Sequence, residues 1–417
     1  MAQEGGGVML AWYQEADSKQ RRVLWAGSLG WMLDSMDTML YALVLSHLMK
    51  DFGITEREAG LLGSLTLLSS AIGGVLFGVL ADRFGRTWAL MASILTYSVF
   101  TAASGAAQTL LQLAVCRALL GLGMGGEWAT GAALISETWP TRHRGKALGL
   151  MQSSWAVGYA LAAVVTAIVL PRFGWRAVFF VGVLPALLTL WIRKAVPESE
   201  LWTRSRAATA TQGSMAGVLK EPAVLRRLAI AATVNAATMF AWWGLFTWIP
   251  RFLGLPIEKG GAGLDIVKTS TWIVLMQGGM WLGYVSFGFI SDRFRPKPTY
   301  ITYLLIAAVL VPIYARVTDP SVLLVLGPFV AFFGTGYFTG FGVMTAELFP
   351  TRIRATAQGL TYNLGRALSA VAPFAVGSIA VDHGLRAAFH LVAVAFLVAG
   401  LLAFLLPIHE RKDLVAD

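Results

Sequence analysis

Long apolar stretches alternate with short polar ones over almost the whole chain. Each apolar stretch is close to the ~20 residues that a helix needs to cross the hydrocarbon core of a bilayer. Most of them are rich in glycine, which lets membrane helices pack closely. The pattern predicts twelve membrane-spanning segments, numbered 1 to 12 in chain order: 23–47, 58–81, 87–106, 109–136, 146–170, 176–195, 228–250, 268–290, 299–317, 321–346, 356–381 and 386–407.

The composition agrees with this pattern. Of the 417 residues, 56% are hydrophobic and only 13% are charged, against about 25% charged residues in an average soluble protein. Too little polar surface remains to cover a water-soluble globule, which excludes a soluble enzyme and a disordered chain. The single cysteine, Cys116, cannot form an internal disulfide bond.

The net charge of +10 reflects membrane topology. Most of the 33 Lys and Arg residues precede segment 1, follow segment 12 or lie between an even segment and the next odd one. Because basic loops stay in the cytoplasm, both termini are expected there. The protein itself is expected to span a bacterial inner membrane, in contact with lipid. The basic residues do not form a soluble patch of the kind that binds nucleic acid, so no nucleic-acid partner is expected.

The chain also repeats itself. Three motifs recur at a constant offset of 210 residues, which predicts two pseudo-symmetric six-helix halves at 21–195 and 228–408. A leader at 1–20, a central cytoplasmic loop at 196–227 and a tail at 409–417 complete the predicted organisation. The recurring residues are Gly78, Asp82, Arg83 and Phe84 (as Gly288, Asp292, Arg293 and Phe294), Glu137, Pro140, Thr141, Arg142 and Arg144 (as Glu347, Pro350, Thr351, Arg352 and Arg354), and Gly174, Arg176 and Phe179 (as Gly384, Arg386 and Phe389).

Two of these regions carry a family resemblance. The stretch from Gly78 to Arg86 reads GVLADRFGR, and the stretch from Arg117 to Gly123 reads RALLGLG. Both resemble motifs of major facilitator superfamily transporters, the first between helices 2 and 3 and the second in helix 4. The resemblance covers essentially the full chain. It implies an all-α membrane protein with twelve transmembrane helices in two six-helix bundles, which works by alternating access around a site at mid-membrane depth.

Shorter motifs point to particular branches of that superfamily. Leu33 to Asp37 (LDSMD), Gly125 to Trp128 (GGEW) and Pro197 to Ser199 (PES) resemble the sialate and lactate proton symporters. The spaced aspartates of segment 1 are also similar to those of the aromatic acid:proton symporters. The glycine-proline motif of drug:proton antiporters is not visible in 146–170, and the end of segment 12 lacks the Pro-Glu-Thr typical of sugar porters.

Two carboxylates in segment 1 are the first candidates for chemistry. Asp34 and Asp37 lie three residues apart, on one helix face with Tyr41, and roughly 15 Å from either end of the segment. An ionised carboxylate at that depth costs at least ~2.5 kcal/mol unless it is paired, faces water or takes up a proton. The functional interpretation is a proton site coupled to transport. The structural alternative is an aspartate that neutralises an arginine and joins two helices.

Segment 4 contributes a buried cation and a third acid. Arg117 is expected at a depth similar to Asp37, where an Asp–Arg pair that opens on protonation or anion binding would act as a coupling switch. The alternative is a permanent structural pair. Glu127, ten residues further along, is another proton-site candidate, or else a packing contact to a polar neighbour. Protons are the expected coupling ion.

Arg366 in segment 11 is the predicted anchor for the substrate. It follows Tyr362 and Asn363, and no acid occurs in its segment before Asp382. A guanidinium at mid-membrane depth can hold a carboxylate through two parallel hydrogen bonds. The alternative is a pair with an acid on another helix. Further wall residues are expected from aromatic and amide side chains elsewhere: Tyr41, Gln152, Trp155, Trp243, Gln277, Tyr337 and Phe341. Trp248, near a segment end, is expected at the membrane interface.

The repeated charged motifs predict a cytoplasmic gate. Acids and arginines at the rim can latch the two halves together when the transporter faces outward. The alternative is solvated loops that follow the positive-inside rule. The gate residues are Asp82, Arg83, Arg86, Glu137, Arg142 and Arg144 in the first half, with Asp292, Arg293, Glu347, Arg352 and Arg354 in the second.

These features predict a monomeric, proton-coupled importer of a small organic anion, such as a monocarboxylate, sialate or aromatic acid. A drug efflux antiporter and a porter of a neutral solute remain alternatives. The chain has no nucleotide-binding loop of the Gly-rich Lys-Ser/Thr type, and its five histidines show no metal-ligand spacing. We therefore expect no enzyme activity, no cofactor and no metal.

Overall fold

The structure is a computed structural model that describes residues 12–200, 203, 221–349 and 354–407. The whole predicted tail and parts of the predicted leader and central loop lie outside the described residues, as does the gate residue Arg352. The side chains of four more gate residues also lie outside the described part: Arg142, Asp292, Glu347 and Arg354.

Helices make up almost all of the described chain. The first half contains α1 (Ser18–Phe52), α2 (Glu56–Phe84), α3 (Arg86–Ala106), α4 (Leu110–Thr138), α5 (Thr141–Val181) and α6 (Ala186–Ala195). The second half contains α7 (Pro222–Phe246), α8 (Ile249–Gly254), α9 (Ile266–Phe294), α10 (Pro296–Arg316), α11 (Pro320–Leu348), α12 (Arg354–Ser369) and α13 (Ala372–Ala403). A short 3₁₀ turn, Ile257–Lys259, follows α8.

The twelve predicted segments map onto these helices. Within the described residues, nine stretches are long and apolar enough to span a membrane. Two of them, His143–Ala195 and Ala357–Ala403, each hold two segments, because the chain bends at Gly174 (φ 77°) and at Gly384 (φ 78°). The remaining segment is α1, whose apolar sequence is interrupted by Asp34 and Asp37. The predicted fold class, an all-helical membrane protein with two pseudo-symmetric halves, is confirmed.

The repeat extends to the helix ends and their caps. The bounds of α2, α3 and α4 recur 210 residues later as those of α9, α10 and α11. Thr55 caps the N-terminus of α2 through its side chain, and Asp265 does the same for α9. Thr109 and Asp319 form a second such pair, on α4 and α11. A polar N-cap satisfies backbone N–H groups that have no partner within the helix, so the same local signal begins the same helix in each half.

The turn between the second and third helix of each half has an unusual backbone. Gly85 has φ 113° and ψ 152°, and its repeat partner Arg295 has φ 70° and ψ 147°. Arg295 is the one non-glycine residue with positive φ among the described residues. A side chain in this region of the Ramachandran plot costs about 1–3 kcal/mol. The second half therefore stores strain at a position where the first half uses glycine.

We expect Arg295→Gly to stabilise the protein. Removing the side chain relieves the strain, and the greater freedom of glycine in the unfolded chain offsets part of the gain, which leaves about 1 kcal/mol. The midpoint of thermal aggregation in detergent should rise by a few degrees. Arg293→Gly, two residues earlier in helical backbone, is the control and should lower the midpoint. A fall for both variants would contradict the strain at Arg295.

The two halves contact each other through α2 against α12 and α13, and through α5 against α9. We call the end of the bundle with the turns at Gly85 and Arg295 the basic face, and the end with the bends at Gly174 and Gly384 the opposite face. At the opposite face the halves are in close contact. A Cβ atom at Gly60 would lie 2.3 Å from the carbonyl oxygen of Pro373, and one at Gly377 would lie 2.3 Å from that of Glu56.

Towards the basic face the halves separate. At Gly78 on α2, Gly149 on α5, Gly288 on α9 and Gly359 on α12, a Cβ would have no described atom of another helix within 4 Å. Further from the basic face, the same helices contact each other across the halves, α2 with α12 and α5 with α9. The space between the halves is therefore closed at the opposite face and open to the basic face.

Candidate functional site

A cavity between the two halves occupies the middle of the bundle. About 310 Å³ there is free of protein atoms, and this space is partly open to solvent. Both halves contribute to its wall, which is mostly aromatic and contains one cation. The lining residues are Trp31, Gln152 and Trp155 from the first half, with Met239, Trp242, Trp243, Tyr284, Phe338, Tyr362 and Arg366 from the second.

Trp155 is the centre of the aromatic wall. Its ring centroid lies 4.6 Å from that of Trp31, 5.7 Å from Trp242 and 6.0 Å from Trp243, and the last two contacts are edge-to-face. The two edge-to-face contacts cross the boundary between the halves. Aromatic surfaces of this kind offer flat apolar contact to a ligand.

Arg366 is the charged group of the cavity. Its side chain is 1% exposed. Nη1 donates a hydrogen bond to Ser70 Oγ in the other half at 2.7 Å, and Nη2 donates to the Tyr362 hydroxyl at 3.0 Å. Its Nε–H is buried and has no acceptor among the described residues. The guanidinium therefore bridges the halves through neutral oxygens, which a carboxylate could replace with stronger, charge-assisted bonds.

Two indoles add further donors. Trp31 Nε1 and Trp155 Nε1 are both buried, and neither has an acceptor within the described part of the chain. With Arg366 Nε, the cavity thus holds three buried N–H groups that await an acceptor. An anion with several acceptor oxygens suits this set better than a cation or a hydrogen-bond donor.

The position of Arg366 is fixed by packing between α7 and α12. Asn235 on α7 donates a hydrogen bond from Nδ2 to the carbonyl oxygen of Thr361 at 3.2 Å. The same Nδ2 lies 3.4 Å from the carbonyl oxygen of Tyr362. Gly365 makes this approach possible, because a Cβ there would lie 2.4 Å from Asn235 Nδ2. The helix α12 ends at Ser369, less than one turn beyond Arg366. Discontinuous helices of this kind commonly border transport sites.

Asp34 and Glu127 form a buried acidic pair beside the cavity. Both are 0% exposed, and none of their four carboxylate oxygens has a hydrogen-bond partner among the described residues. The charge of Arg366 acts on both of them. Gly30 makes room for Glu127, since a Cβ there would lie 2.5 Å from Oε1. Carboxylates without partners at this depth can hold protons, and the nearby cation makes their charge depend on what Arg366 binds.

Asp37 faces a different neighbourhood. A Cβ at Gly182 would lie 3.0 Å from Asp37 Oδ1 and 2.2 Å from the methyl group of Thr101, so this carboxylate packs at a tight contact inside the first half. Its oxygens, like those of Asp34, have no hydrogen-bond partner in the described residues. The two aspartates of segment 1 therefore have different neighbouring cations, Arg366 for Asp34 and Arg117 for Asp37, although their charges also act on each other. Their roles in proton coupling stay predictions.

Arg117 makes no ion pair with Asp34 or Asp37 among the described side chains. Its Nε donates to Thr66 Oγ1 at 3.1 Å, and its guanidinium carbon lies 4.4 Å from the ring centroid of Tyr41. The sequence predicted that it would pair with an aspartate of segment 1. The short-range partners are instead a hydroxyl and an aromatic ring, so the Asp–Arg switch has no formed pair in this state.

The remaining predicted wall residues are only partly in the cavity. Gln152, Trp155, Trp243 and Tyr362 line it, whereas Tyr41 borders a second cavity with Arg117. Asn363 packs on α2, where a Cβ at Gly74 would lie 2.3 Å from its Oδ1. Tyr337 donates to the carbonyl of Thr238 at 3.1 Å inside the second half. Gln277 and Phe341 are buried away from the central cavity.

Sequence reasoning missed several residues. Trp31 lies three positions before Asp34, on the same helix face, and could have been found by that spacing. Tyr284 could have been found as an aromatic residue within segment 8. Ser70 gave no signal, because its importance comes from Arg366 on the other half. The expectation for Trp248 is wrong: it is 0% exposed, and its Nε1 donates to the carbonyl of Pro373.

At the basic face, the described gate charges interact within the first half. Arg86 pairs with Asp82 and, at 3.1 Å, with Glu137. The carboxylate of Glu198 accepts the backbone N–H groups of Arg86 at 2.9 Å and Thr87 at 3.1 Å, which caps α3. Arg83 and Arg293 are exposed, and Arg144 is half-buried. A latch between the halves stays a prediction for the state in which this face is closed.

At the opposite face, an ion pair does join the halves. Arg251 Nη2 on α8 lies 2.7 Å from Glu56 Oε1 on α2. Arg251 Nη1 donates a hydrogen bond to Ser46 Oγ on α1 at 3.2 Å. Both charged side chains are largely buried, at 18% and 24% exposure. The pair lies beside the close contact of Glu56 with Gly377, so it adds to the closure of this face.

Glu56→Gln should therefore weaken the closed opposite face. A partly exposed pair contributes about 0.5–1 kcal/mol, so we expect a two- to fivefold loss of the closed population. Spin labels at Gln108→Cys and Glu258→Cys, in a Cys116→Ser background, report the distance between halves. Asp51→Asn is the control, because Asp51 pairs with Arg176 at 2.7 Å within one half. An unchanged distance distribution in Glu56→Gln would show that the pair does not hold this face.

The charged groups of the site break the internal repeat. At the offset of 210 residues, Asp34 corresponds to Gly244, Asp37 to Thr247, Arg117 to Gly327, Glu127 to Tyr337 and Arg366 to Ala156. The repeat thus fixes the scaffold, whereas each buried charge occurs in one half alone. The three acids belong to the first half, and the cation of the central cavity belongs to the second.

Comparison with known proteins gives a consistent result. The family model described as Major Facilitator Superfamily matches residues 27–286 and 254–416. A probable 4-methylmuconolactone transporter of Cupriavidus pinatubonensis is 36% identical over 402 residues, covering 94% of this chain and 92% of the relative. The sialic acid transporter NanX of Escherichia coli is 33% identical over 393 residues, covering 93% and 94%.

Two further comparisons concern function and fold. The cis,cis-muconate transport protein of Acinetobacter baylyi is 31% identical over 389 residues, covering 92% of this chain and 93% of the relative. Among solved structures, a bacterial homolog of the human lysosomal transporter Spinster, in an inward-facing and unoccupied conformation, has a TM-score of 0.74 at 18% identity. It covers 94% of this chain and 97% of that one. The relatives are transporters and not enzymes.

Proposed function

Because the chain belongs to the Major Facilitator Superfamily of transporters, we propose that it imports a small organic anion together with a proton. The observation that carries this proposal is Arg366, a buried guanidinium in a cavity between the halves that has no ion-pair partner within 4 Å among the described residues. A carboxylate would neutralise it in place.

The aromatic wall supports a flat, unsaturated acid. Trp155 and its ring contacts with Trp31, Trp242 and Trp243 can cover the faces of a planar carbon skeleton. Two of the relatives are named for a methylmuconolactone and for muconate, both small and unsaturated, and a third is named for sialic acid. All three names fit a site built around one cation.

The basic face sets the orientation of the cavity in the membrane. If basic loops mark the cytoplasm, the cavity described here opens to the cytoplasm and the opposite face is periplasmic. The Arg251–Glu56 pair then closes the outer side in the inward-facing state. Outward opening would break this pair and bring the gate charges of the two halves together.

Coupling to protons is assigned to Asp34 and Glu127. Their charge interacts with that of Arg366, so a substrate carboxylate on Arg366 removes part of the attraction that favours ionised acids. Substrate binding and protonation thereby stabilise each other, and the loaded site carries less buried charge as it crosses the membrane. Such mutual stabilisation is the physical basis of symport in this proposal.

The substrate class is tested with matched acids and amides. Purified protein in liposomes is loaded with unlabelled benzoate, cis,cis-muconate or sialic acid, and counterflow of the labelled acid is measured without a pH gradient. Benzamide is the neutral partner of benzoate. Hydrogen bonds to a charged group contribute about 1.5–3 kcal/mol, so at least one acid should exchange ten- to a hundredfold faster than benzamide. If benzamide exchanged as fast as the acids, or if none of the acids exchanged, an anion site at Arg366 would be contradicted.

A further inference from the structure

A second cavity lies between the central cavity and the opposite face. It contains about 300 Å³ of space free of protein atoms, and its wall joins both halves. The first half contributes Thr38, Tyr41, Thr66 and Arg117, and the second contributes Thr247 and Pro373. Trp243 lines both cavities and separates them. Trp155, Asp34 and Glu127, which belong to the central site, do not line this second cavity.

Arg117 is the charged group of this cavity, and it is incompletely satisfied. Its side chain is 2% exposed. Thr66 Oγ1 accepts a hydrogen bond from the Nε–H, and the centroid of the Tyr41 ring lies 4.4 Å from the guanidinium carbon. Its Nη1 is buried without an acceptor in the described chain. A buried guanidinium needs an anion, because neutral oxygens and an aromatic face replace only part of its hydration.

The rest of the wall suits a carboxylate. The hydroxyl of Thr38 is buried and has no partner among the described residues, so it can donate beside the guanidinium. No acid occurs in the lining of the cavity, and no described carboxylate reaches Arg117 within 4 Å. Asp37 packs at Gly182 and Thr101, and its charge acts on Arg117 only from beyond ion-pair distance. The hydrogen-bonding position at Arg117 Nη1 is therefore open to an incoming anion.

The cavity also lies where the chain can move. Thr247 follows the end of α7, and Pro373 stands in the first turn of α13, so both are at breaks between helices. Pro373 closes the opposite face by its contact with Gly60. When that contact opens, the cavity lies between the opposite face and Trp243. Arg117 is about 10 Å from that end of α4.

We propose that this cavity is a second anion-binding site, in which Arg117 and Thr38 hold the carboxylate of a substrate before it passes Trp243 to reach Arg366. The proposal rests on the proposed function, since it assumes that the cargo is an organic anion. It adds a site that takes the same chemical class and is occupied independently of Arg366.

The direct test uses unmodified protein and 4-bromobenzoate, whose bromine can be located by anomalous scattering in crystals. Bromine positions beside both Arg117 and Arg366 support the proposal. Bromine beside Arg366 alone overturns the second site and leaves the proposed function intact. Bromine beside Arg117 alone supports the second site and contradicts the anchor role of Arg366. Binding at neither position overturns the second site, and the counterflow assay with matched acids then decides the proposed function separately.

Binding stoichiometry gives an independent result in solution. At saturation with labelled 4-bromobenzoate, wild-type protein should bind two molecules per chain, whereas Arg117→Met and Arg366→Met should each bind one. Arg176→Met removes an exposed arginine at the same face and should still bind two. One molecule per chain in both wild type and Arg117→Met would overturn the proposal. Only variants with a monodisperse peak and the wild-type melting midpoint are compared.

Discussion

Arg366→Met should reduce uptake of the transported anion at least a hundredfold. The guanidinium has hydrogen bonds to Ser70 and Tyr362 and a free Nε–H, and a bound carboxylate would replace the neutral acceptors. Losing two charge-assisted bonds of about 1.5–3 kcal/mol each removes at least ~3 kcal/mol of binding, which is more than a hundredfold in affinity. The measurement is the initial rate of uptake into proteoliposomes at a substrate concentration below saturation.

A conservative exchange separates charge from geometry. Arg366→Lys keeps the charge but cannot form two parallel hydrogen bonds to one carboxylate. We expect an intermediate loss, about tenfold, mainly as a higher half-saturating concentration. Arg316→Met, at the exposed end of α10, is the control and should transport at the wild-type rate. If Arg366→Met kept more than a tenth of wild-type uptake while folding normally, Arg366 would not be the anchor.

Asp34→Asn and Glu127→Gln should uncouple transport from protons. Each variant removes one carboxylate of the buried acidic pair while keeping its size and polarity. The site can then still bind and exchange the anion, but it no longer requires a proton to cross. A gradient of one pH unit, worth 1.36 kcal/mol, should drive about tenfold accumulation by the wild type under one-to-one coupling. It should drive close to none in the variants.

Two assays, counterflow and gradient-driven accumulation, should give opposite results for these variants. Counterflow without a gradient should persist in both variants at a substantial fraction of the wild-type rate, whereas gradient-driven accumulation should be lost. Asp51→Asn, at the exposed end of the same helix α1, is the control and should keep both activities. If Asp34→Asn and Glu127→Gln accumulated substrate in proportion to the gradient, the acidic pair would not carry the proton. Asp37 would then be the next candidate.

Much of the scaffold is readable from the sequence because its signals are local. Apolar length gives the segments, and polar caps such as Thr55 and Asp265 mark where helices begin. The constant offset between Gly174 and Gly384 even predicts equivalent positions, and both residues prove to be bends with positive φ. Short-range sterics and capping act on a few neighbouring residues, so they leave a pattern in the chain.

The site itself depends on contacts between distant parts of the chain. Arg366 was predictable as an unusual charge at mid-membrane depth, but its partner Ser70 is 296 residues away and is unremarkable in sequence. Spacing placed Asp34 and Asp37 on one helix face, yet Asp34 interacts with the charge of Arg366 and Asp37 packs at Gly182. Small rotations about a helix axis decide such partners, and periodicity does not resolve them.

The surroundings of Arg117 also depend on contacts between distant residues. A buried arginine calls for an acid, and segment 1 offered two. In the structure Thr66 and Tyr41 contact it, and Asp37 acts on it through its charge without forming an ion pair. Balanced charge within a membrane domain therefore does not imply paired charge. The buried cations and acids are held apart, which leaves the cations available to substrate and the acids available to protons.

The central claim is that an anion held by Arg366 moves with a proton, and gradient-driven uptake tests it most directly. Wild-type and Arg366→Met proteoliposomes receive the same inward pH gradient, acidic outside, with the labelled acid that exchanges fastest in counterflow. The Arg366→Met vesicles measure the neutral acid that crosses lipid unaided. We predict that wild-type vesicles accumulate about tenfold more acid per pH unit above that background, and that a proton ionophore abolishes the excess. An excess that ignores the gradient and the ionophore would contradict proton coupling, and no excess at all would contradict the transport of an organic anion through this site.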